Sequence, residues 1–362
     1  MIQKHHWGNR LGQAASGLLF AGLHGWAVLA LYFWFGAFLL LALGVVLAYG
    51  LAVYGILRFS KNRRMGWWTG LMLPLAVMLW WIGRQPLTGL DYPKETEQSA
   101  HVERELNFLT VHGIRDFRYR TVDDFEPRWS SRSYDLDQLR NVDVFFSYWG
   151  VPQVAHVITS FVFKDQAPLA VSIELRRETD EPNTLLRGIF KQYEICYIWA
   201  DERDVIALRT LHRGEEVAVH RTSLTPDQGR RLLLDMMERT NSLEDQPEFY
   251  NTLTDNCTNA IARHVNQVRG RDVAWWRGLI LTGRYEKMGY DQGWLLHTQP
   301  WEQHLAASRI RDRAKAGGDG PDFSARIRTH FAGMETPVPD PAAEGGSAPG
   351  SGAAVEQYPT EK

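Results

Sequence analysis

The chain has 362 residues and a formal net charge of −2, so its overall electrostatics give no reason to expect nucleic-acid binding. It contains neither a phosphate-cradling glycine loop nor a zinc-type spacing of cysteine and histidine, and we expect no metal and no cofactor. Its length suits one compact domain with additional segments.

Residues 1–83 are predicted to be a membrane anchor with three spanning helices. Residues 11–58 contain a single charged side chain, Arg58, and a run of this length suits two helices because one span needs about 20 residues. We place these helices at about 14–34 and 36–57, and a third at about 65–82, where tryptophans stand near both ends. A cleaved signal peptide would instead show one short apolar core and a small-residue cleavage site.

The basic residues predict how the anchor is oriented. Lys4 and Arg10 precede the first span, and four basic residues stand at 58–64, between the second and third spans. The positive-inside rule assigns both groups to the cytoplasm, so three spans leave the rest of the chain outside it. We therefore expect a protein of the bacterial inner (cytoplasmic) membrane, with a cytoplasmic N-terminus and a periplasmic C-terminal domain.

The exported part is predicted to be α+β, with a small antiparallel sheet packed on helices. A polar connector at 84–107 leads into a globular domain at 108–305. Strand-like runs follow one another closely, which favours a meander; they lie at 142–148, 154–163, 169–176, 193–200, 204–211 and 215–221. A helix is predicted over 230–241, after the helix-start signal Thr225-Pro226-Asp227. Residues 306–335 are predicted to be a helical extension, and the Pro-, Gly-, Ala- and Ser-rich residues 336–362 a disordered tail.

Cys257 is the candidate nucleophile, because it stands at a predicted helix start. Asn256 and Thr258 beside it are helix-capping residue types, and apolar residues with helical spacing follow. A cysteine in the first turn lies near unpaired backbone N–H groups and the positive end of the helix dipole, both of which favour the reactive thiolate. The alternative is a small buried residue that fills the core. Tyr250, Asn256 and Thr258 are candidates for positioning a substrate.

A thiol nucleophile normally needs a histidine base, and His156 is the candidate. It stands early in an otherwise apolar strand, where a purely structural, hydrogen-bonded histidine is the alternative. His264 follows Cys257 by two helical turns, or about 10 Å, which is too far for proton transfer. We interpret His264 as a solvent-exposed helix residue.

Glu174 is the candidate that orients the histidine. It shares a face of the next strand with Ser172, and a carboxylate there could hold the imidazole in the tautomer that accepts a proton from sulfur. An ordinary ion pair of Glu174 with Arg176 or Arg187 is the alternative.

The second cysteine, Cys196, lies within an apolar strand and is predicted to belong to the core. Because the expected compartment is oxidising, a Cys196–Cys257 disulfide remains an alternative that would remove the nucleophile.

The exported part resembles the Lnb-type periplasmic domain family, whose name refers to bacterial lipoprotein N-acyltransferase. The resemblance covers about 108–268 and rests on ordered segments. These are Asp116-Phe117-Arg118-Tyr119, Arg128-Trp129, Tyr134-Asp135-Leu136, Val144 to Gly150, Ala155-His156, Ser172-Ile173-Glu174, Gln192-Tyr193-Glu194, Ala200 to Val205, and Tyr250-Asn251 through Asn256-Cys257-Thr258. A strand-borne histidine upstream of a helix-opening Asn-Cys also resembles circularly permuted papain-like thiol enzymes, such as lecithin:retinol-acyltransferase-like enzymes and permuted NlpC-type hydrolases.

The resemblance implies a permuted papain-like catalytic domain and thiol-based acyl transfer. Cys257 would accept the acyl group, His156 would act as base and Glu174 as its orienter. The expected partners are membrane phospholipid as acyl donor and an amine, such as a lipoprotein N-terminus, as acceptor. Two alternatives stay open: a cysteine hydrolase (amidase or peptidase) of the cell envelope, and a non-catalytic envelope binding protein. Trp275, Trp276 and Trp294 could lie against lipid or pack in the core.

Overall fold

Three long apolar helices begin the chain in a computed structural model that describes residues 3–36, 38–87, 89–270 and 282–331. They are α1 Gln3–Trp34, α2 Leu39–Phe59 and α3 Arg63–Ile82. Each contains a stretch long and apolar enough to cross a membrane. Helix α3 begins slightly earlier than predicted because Asn62 caps it, accepting a hydrogen bond from the Met65 amide at 2.8 Å.

The remainder of the chain is built on an eight-stranded sheet. Its strands are β1 His101–Glu105, β2 Phe108–Arg115, β5 Trp129–Asp135, β6 Leu139–Tyr148, β7 Ala155–Phe163, β8 Leu169–Arg176, β9 Glu194–Asp201 and β10 Glu216–Arg221. The order is β1-β2-β9-β8-β7-β6-β10, with β5 paired to β2. A separate small hairpin is formed by β3 Arg118–Tyr119 and β4 Phe125–Glu126.

The predicted α+β class and antiparallel meander are confirmed, with two differences in the sheet. Strands β6, β7, β8 and β9 pair antiparallel in succession. The sheet is larger than predicted, because β1 lies in the expected connector and β2 adds a parallel contact to β9. The predicted strand at 204–211 is wrong. Here the chain forms α5, Glu202–Ala207, followed by a π-helical stretch, Leu208–His212. Asp201 starts this helix by accepting a hydrogen bond from the Arg203 amide.

Helices cover both faces of the sheet. On one face lie α6, Pro226–Asp245, and α7, Cys257–Arg269. Thr225 and Gln228 form a capping box at the predicted start of α6. The second face carries α5, α10, Arg311–Lys315, and α11, Phe323–Arg326, whose apolar side chains form a second core. Three further helices are α4 Leu185–Ile189, α8 Arg284–Asp291 and α9 Trp301–Ser308.

The C-terminal part of the described chain is helical and packs into the domain. Ile310, Ala314 and Phe331 belong to the second core. Trp294 packs against the first core, so its predicted alternative as a core residue agrees with the structure. Trp275, Trp276 and the predicted tail at 336–362 lie outside the described residues.

Candidate active site

Cys257 is the first residue of α7, as predicted. The Asn256 side chain accepts a hydrogen bond from the Asn259 amide at 3.0 Å and donates one to the Thr252 carbonyl at 3.0 Å. This cap fixes where the helix starts, and it leaves the Cys257 side chain in the first turn with only 8% of its surface exposed. The cap thus takes the Asn259 amide, whereas the amides of Cys257 and Thr258, the first two of the helix, have no acceptor within it.

The structure brings the predicted nucleophile and base together. His156 lies in β7 with 8% of its surface exposed, and its ring is close enough to the Cys257 thiol to lower the pKa of that thiol. The pairing of β7 with β8 ends at Ile158 and Ser172, two residues short of His156. The backbone amide of Val157 lowers the pKa of the same thiol. Cys257 therefore lies beside His156 at the point where β7 and β8 are no longer paired. Helix α7 itself packs on one face of the sheet.

Glu174 lies on the other side of the imidazole. His156 Nε2 is 3.2 Å from Glu174 Oε1 and 2.7 Å from Ser172 Oγ, and the Ser172 hydroxyl donates to the same carboxylate oxygen at 2.6 Å. Because Nε2 faces these oxygens, Nδ1 is the nitrogen left for the thiol. The three predicted residues thus form a row from sulfur to imidazole to carboxylate. The Ser172 hydroxyl bridges the imidazole and the carboxylate.

Arg209 is the cation that holds Glu174, and the sequence analysis missed it. Its guanidinium is buried and donates to Glu174 Oε1 at 2.9 Å. The alternative pairing of Glu174 with Arg176 or Arg187 is wrong, because those two arginines contact other carboxylates. Arg209 was missed because its segment, Leu208–His212, was predicted to be a strand.

The charges within the site favour a thiolate and an imidazolium. Burial alone would raise the pKa of the Cys257 thiol, but His156 and the Val157 amide outweigh it and lower that pKa. Burial would lower the pKa of His156, but Glu174 and the Cys257 thiolate raise it to about 9. Burial opposes ionisation of Glu174, yet His156 and Arg209 hold its pKa well below the usual range.

The three predicted positioning residues all lie at the site. Asn256 caps α7 and lines the cleft above the sulfur, and Tyr250 lines the same cleft. Burial, and then the charges of Cys257 and Glu174, raise the pKa of Tyr250, so its hydroxyl stays protonated and can donate. The Thr258 hydroxyl lies 3.8 Å from Cys257 Sγ.

The sulfur faces a cleft of about 690 Å³, a volume within the range of roughly 300–1,000 Å³ that is usual for small-molecule sites. Trp149, Ile173 and Leu185 are among its apolar lining residues. A smaller apolar pocket of about 110 Å³ is lined by, among others, Val157 and Thr258, the residues next to His156 and Cys257 in the chain. Cys257 itself lines the larger cleft.

Cys196 lies in β9, as predicted, and is a free cysteine like Cys257. The alternative disulfide between them is therefore wrong. Burial, and then the nearby Glu174 carboxylate, raise the pKa of the Cys196 thiol to about 12, which keeps it protonated.

His264 is not the exposed residue that we predicted. It is 7% exposed and lies between the Tyr197 hydroxyl, at 2.7 Å, and the Asp235 carboxylate, at 2.5 Å. The reason is that α7 packs against both the sheet and α6, which turns this side of the helix inward. Its two partners on other elements explain the residue as structural.

Within residues 3–36, 38–87, 89–270 and 282–331, no three His, Cys, Asp or Glu side chains are grouped so that they could hold a metal ion.

Comparison with known proteins gives one finding. Residues 125–281 match a sequence-family model described as the Lnb N-terminal periplasmic domain. No curated protein and no solved structure matches the chain. The matched segment includes His156, Glu174 and Cys257, and with the three apolar helices it indicates a membrane-associated protein with a periplasmic domain. The relationship to papain-like enzymes stays a prediction.

Proposed function

Because this chain belongs to the Lnb-type periplasmic domain family through residues 125–281, we propose that it is a membrane-tethered thiol acyltransferase of the bacterial inner membrane. Its N-terminus is cytoplasmic, and its catalytic domain, a permuted papain-like fold, faces the periplasm. The enzyme moves a fatty acyl group from phospholipid, through a thioester on Cys257, to an amine such as a lipoprotein N-terminus.

The observation that carries this proposal is the row Cys257–His156–Glu174 at the floor of a largely apolar cleft. A nucleophile that contacts a base, which is oriented in turn by a carboxylate, is the arrangement that acyl transfer through sulfur requires. The apolar lining suits an acyl chain. A buried cysteine that only filled the core would not need a charged imidazole beside it.

In the first step, the Cys257 thiolate attacks the ester carbonyl of the phospholipid. The new S–C bond forms, the C–O bond to glycerol breaks, and the His156 imidazolium gives its proton to the departing alkoxide. A lysophospholipid leaves. The oxyanion that forms in between is stabilised by backbone N–H groups at the start of α7, which have no acceptor within the helix.

In the second step, an amine attacks the thioester carbon. Neutral His156 takes the proton from the attacking nitrogen, the C–S bond breaks, and the amide product leaves behind the thiolate and imidazolium. Glu174 stabilises that imidazolium and keeps Nε2 facing it. Because both substrates are confined to the membrane, the three helices raise their effective concentration at the cleft.

Trapping the thioester tests the proposed function. The full chain is incubated with vesicles of a phospholipid that carries one defined acyl chain, and its intact mass and a Cys257 peptide are weighed. We expect a mass gain that equals that acyl group, follows it when the chain length changes, and disappears when an amine-bearing peptide is added. A peptide fragment on Cys257 would indicate the envelope hydrolase instead, and an unmodified Cys257 under all these conditions would contradict thiol chemistry.

Arg209→Gln is expected to move the alkaline limb of the pH–rate profile upward from about 9. The guanidinium lowers the pKa of His156, so its removal raises that pKa and extends the range in which the imidazolium persists. The free energy of unfolding should fall by about 1–3 kcal/mol, less than for a fully buried pair, because Glu174 keeps 30% of its side chain exposed. Rates across pH and urea unfolding measure the two effects.

The matched control for this variant is Arg213→Gln. Arg213 lines the same cleft, but its contact is with Glu215, at 3.8 Å. Its removal should leave the alkaline limb in place. If the pKa of the alkaline limb is unchanged or lower in Arg209→Gln, the role assigned to Arg209 is contradicted.

A further inference from the structure

Helix α4 exposes two adjacent leucines on the outside of the domain. Leu185 is 64% exposed and Leu186 is 51% exposed. Both lie in a helix of only five residues, and their neighbour Gly188 is buried. Single exposed leucines are ordinary, but two in a row on one short helix form an apolar projection that water solvates poorly.

The end of α4 is fixed to the ends of two membrane helices. Phe190 stacks on Phe33 of α1, with the ring centroids 5.2 Å apart. The ammonium of Lys191 donates to the Trp81 carbonyl of α3 at 2.9 Å and lies 4.5 Å from the centroid of the Trp81 ring. Phe33 and Trp81 are the next-to-last residues of their helices. Because an apolar span ends where the hydrocarbon ends, α4 is held at the level of the membrane surface.

The same helix forms one wall of the cleft. Leu185 lines the cleft, and its carbonyl accepts a hydrogen bond from the Thr252 hydroxyl at 3.2 Å. Gly188 packs so closely on Thr252 that a side chain there would overlap the hydroxyl. The Thr252 carbonyl in turn accepts from Asn256, the cap of α7. One chain of contacts therefore runs from α4 to the helix start that carries Cys257.

The cleft also has an apolar rim. Trp149 is 50% exposed and lines the cleft together with Leu185. A lipid tail that moved from the membrane surface toward the sulfur would thus meet apolar side chains. The guanidinium of Arg84 lies 3.4 Å from the centroid of the Trp34 ring, at the end of α1, and its charge acts on Lys191. Two cations therefore stand at the helix ends, where lipid phosphates would lie.

We propose that α4 inserts Leu185 and Leu186 into the adjacent lipid leaflet, and that a phospholipid acyl chain enters the cleft over this helix. We assign lipid as the partner of these two leucines, because Phe190 and Lys191 connect the end of α4 to the apolar helices α1 and α3. The lipid-entry part of this inference rests on the proposed function, whereas the insertion of α4 does not.

A fluorescent label on residue 186 tests the insertion. The full chain carries Cys196→Ser and Cys257→Ser, with Leu186→Cys labelled by an environment-sensitive dye, in vesicles of phosphatidylethanolamine and phosphatidylglycerol. We expect the emission to shift to the blue and to be quenched by lipids brominated near the glycerol end of the acyl chain. A label that behaves as it does in water would overturn the proposal.

The matched control is Val122→Cys in the same background. Val122 is 36% exposed and lies in the turn between β3 and β4. This turn follows the end of β2 at Arg115, which pairs with Ala200 near the end of β9. The opposite end of β9, at Glu194, is the end that follows α4 in the chain. Its label should stay in a water-like environment. Equal quenching at both positions would mean that the domain lies on lipid without a specific contact by α4. Because this background lacks both thiols, the result does not depend on whether Cys257 is acylated.

The entry route has a separate test. Leu186→Glu should lower the ratio between acylation of Cys257 by vesicle phospholipid and by a water-soluble acetyl ester about tenfold, because a carboxylate is expelled from lipid. Val122→Glu should leave that ratio unchanged. An unchanged ratio in Leu186→Glu would overturn entry over α4. If the unsubstituted chain is acylated by neither donor, the proposed function is rejected, even if the label at 186 is buried in lipid.

Discussion

Replacement of Cys257 by alanine is expected to abolish acyl loading of the chain and to lower its transfer rate by at least about a thousandfold. The loss follows because the sulfur is the atom that bonds to the acyl carbon, and no second nucleophile replaces it. His156→Ala should act as severely, since the thiolate loses the imidazolium that lowers its pKa. Intact mass after exposure to phospholipid and the initial rate of transfer measure both.

Cys196→Ala is the matched control, because it removes the other free cysteine. The high pKa of Cys196, about 12, keeps it a thiol, and it lies in β9 outside the row of reacting groups. Its loss should leave acyl loading intact. Full activity in both Cys257→Ala and His156→Ala would refute the enzyme proposal and favour a binding role.

Glu174→Gln is expected to have the second largest effect, a fall in rate of roughly a hundredfold to ten-thousandfold. The amide cannot stabilise the imidazolium and can present its donor to Nε2, which favours the wrong tautomer. The sign of the pH effect is also fixed. The Glu174 charge raises the pKa of His156 against burial, so without that charge the pKa falls, and the alkaline limb moves from about 9 to lower pH. A pH–rate profile checks both.

Glu215→Gln serves as the control for that variant. Glu215 also lines the cleft and lies 3.9 Å from Arg209 Nε, but it accepts a hydrogen bond from Ser147 at 2.5 Å and does not contact the imidazole. We expect its alkaline limb to stay near 9. Glu174→Gln and Arg209→Gln should shift that limb in opposite directions, and a shift in the same direction would contradict the assignment of charges.

The site could be predicted from the sequence where chemistry and local structure point to the same residues. The cap beside Cys257 marked the start of α7, and the period-two pattern placed His156 and Glu174 on strands that turned out to be neighbours. Such local signals need no knowledge of the rest of the chain, which is why the structure brings these three residues together as expected.

The errors have different physical causes. The run 204–211 is rich in β-type residues, and its helical state is set by the Asp201 cap and by burial against the sheet. Arg209 was missed as a site residue because it lies in this wrongly predicted run. His264, in contrast, could have been predicted as buried, because with Cys257, Ile261 and Val268 it follows the helical spacing of the inward face.

The π-helical stretch makes the position of Arg209 depend on the number of residues in this turn. In it the Arg213 amide bonds to the Leu208 carbonyl, five residues back, so this turn holds one residue more than an α-helical turn. Deleting one residue here would rotate one side of the segment relative to the other by about 100°. The guanidinium that meets Glu174 would then point elsewhere while remaining in the sequence. Relatives that keep this arginine but differ by one residue in this turn should therefore have an active site with a different net charge.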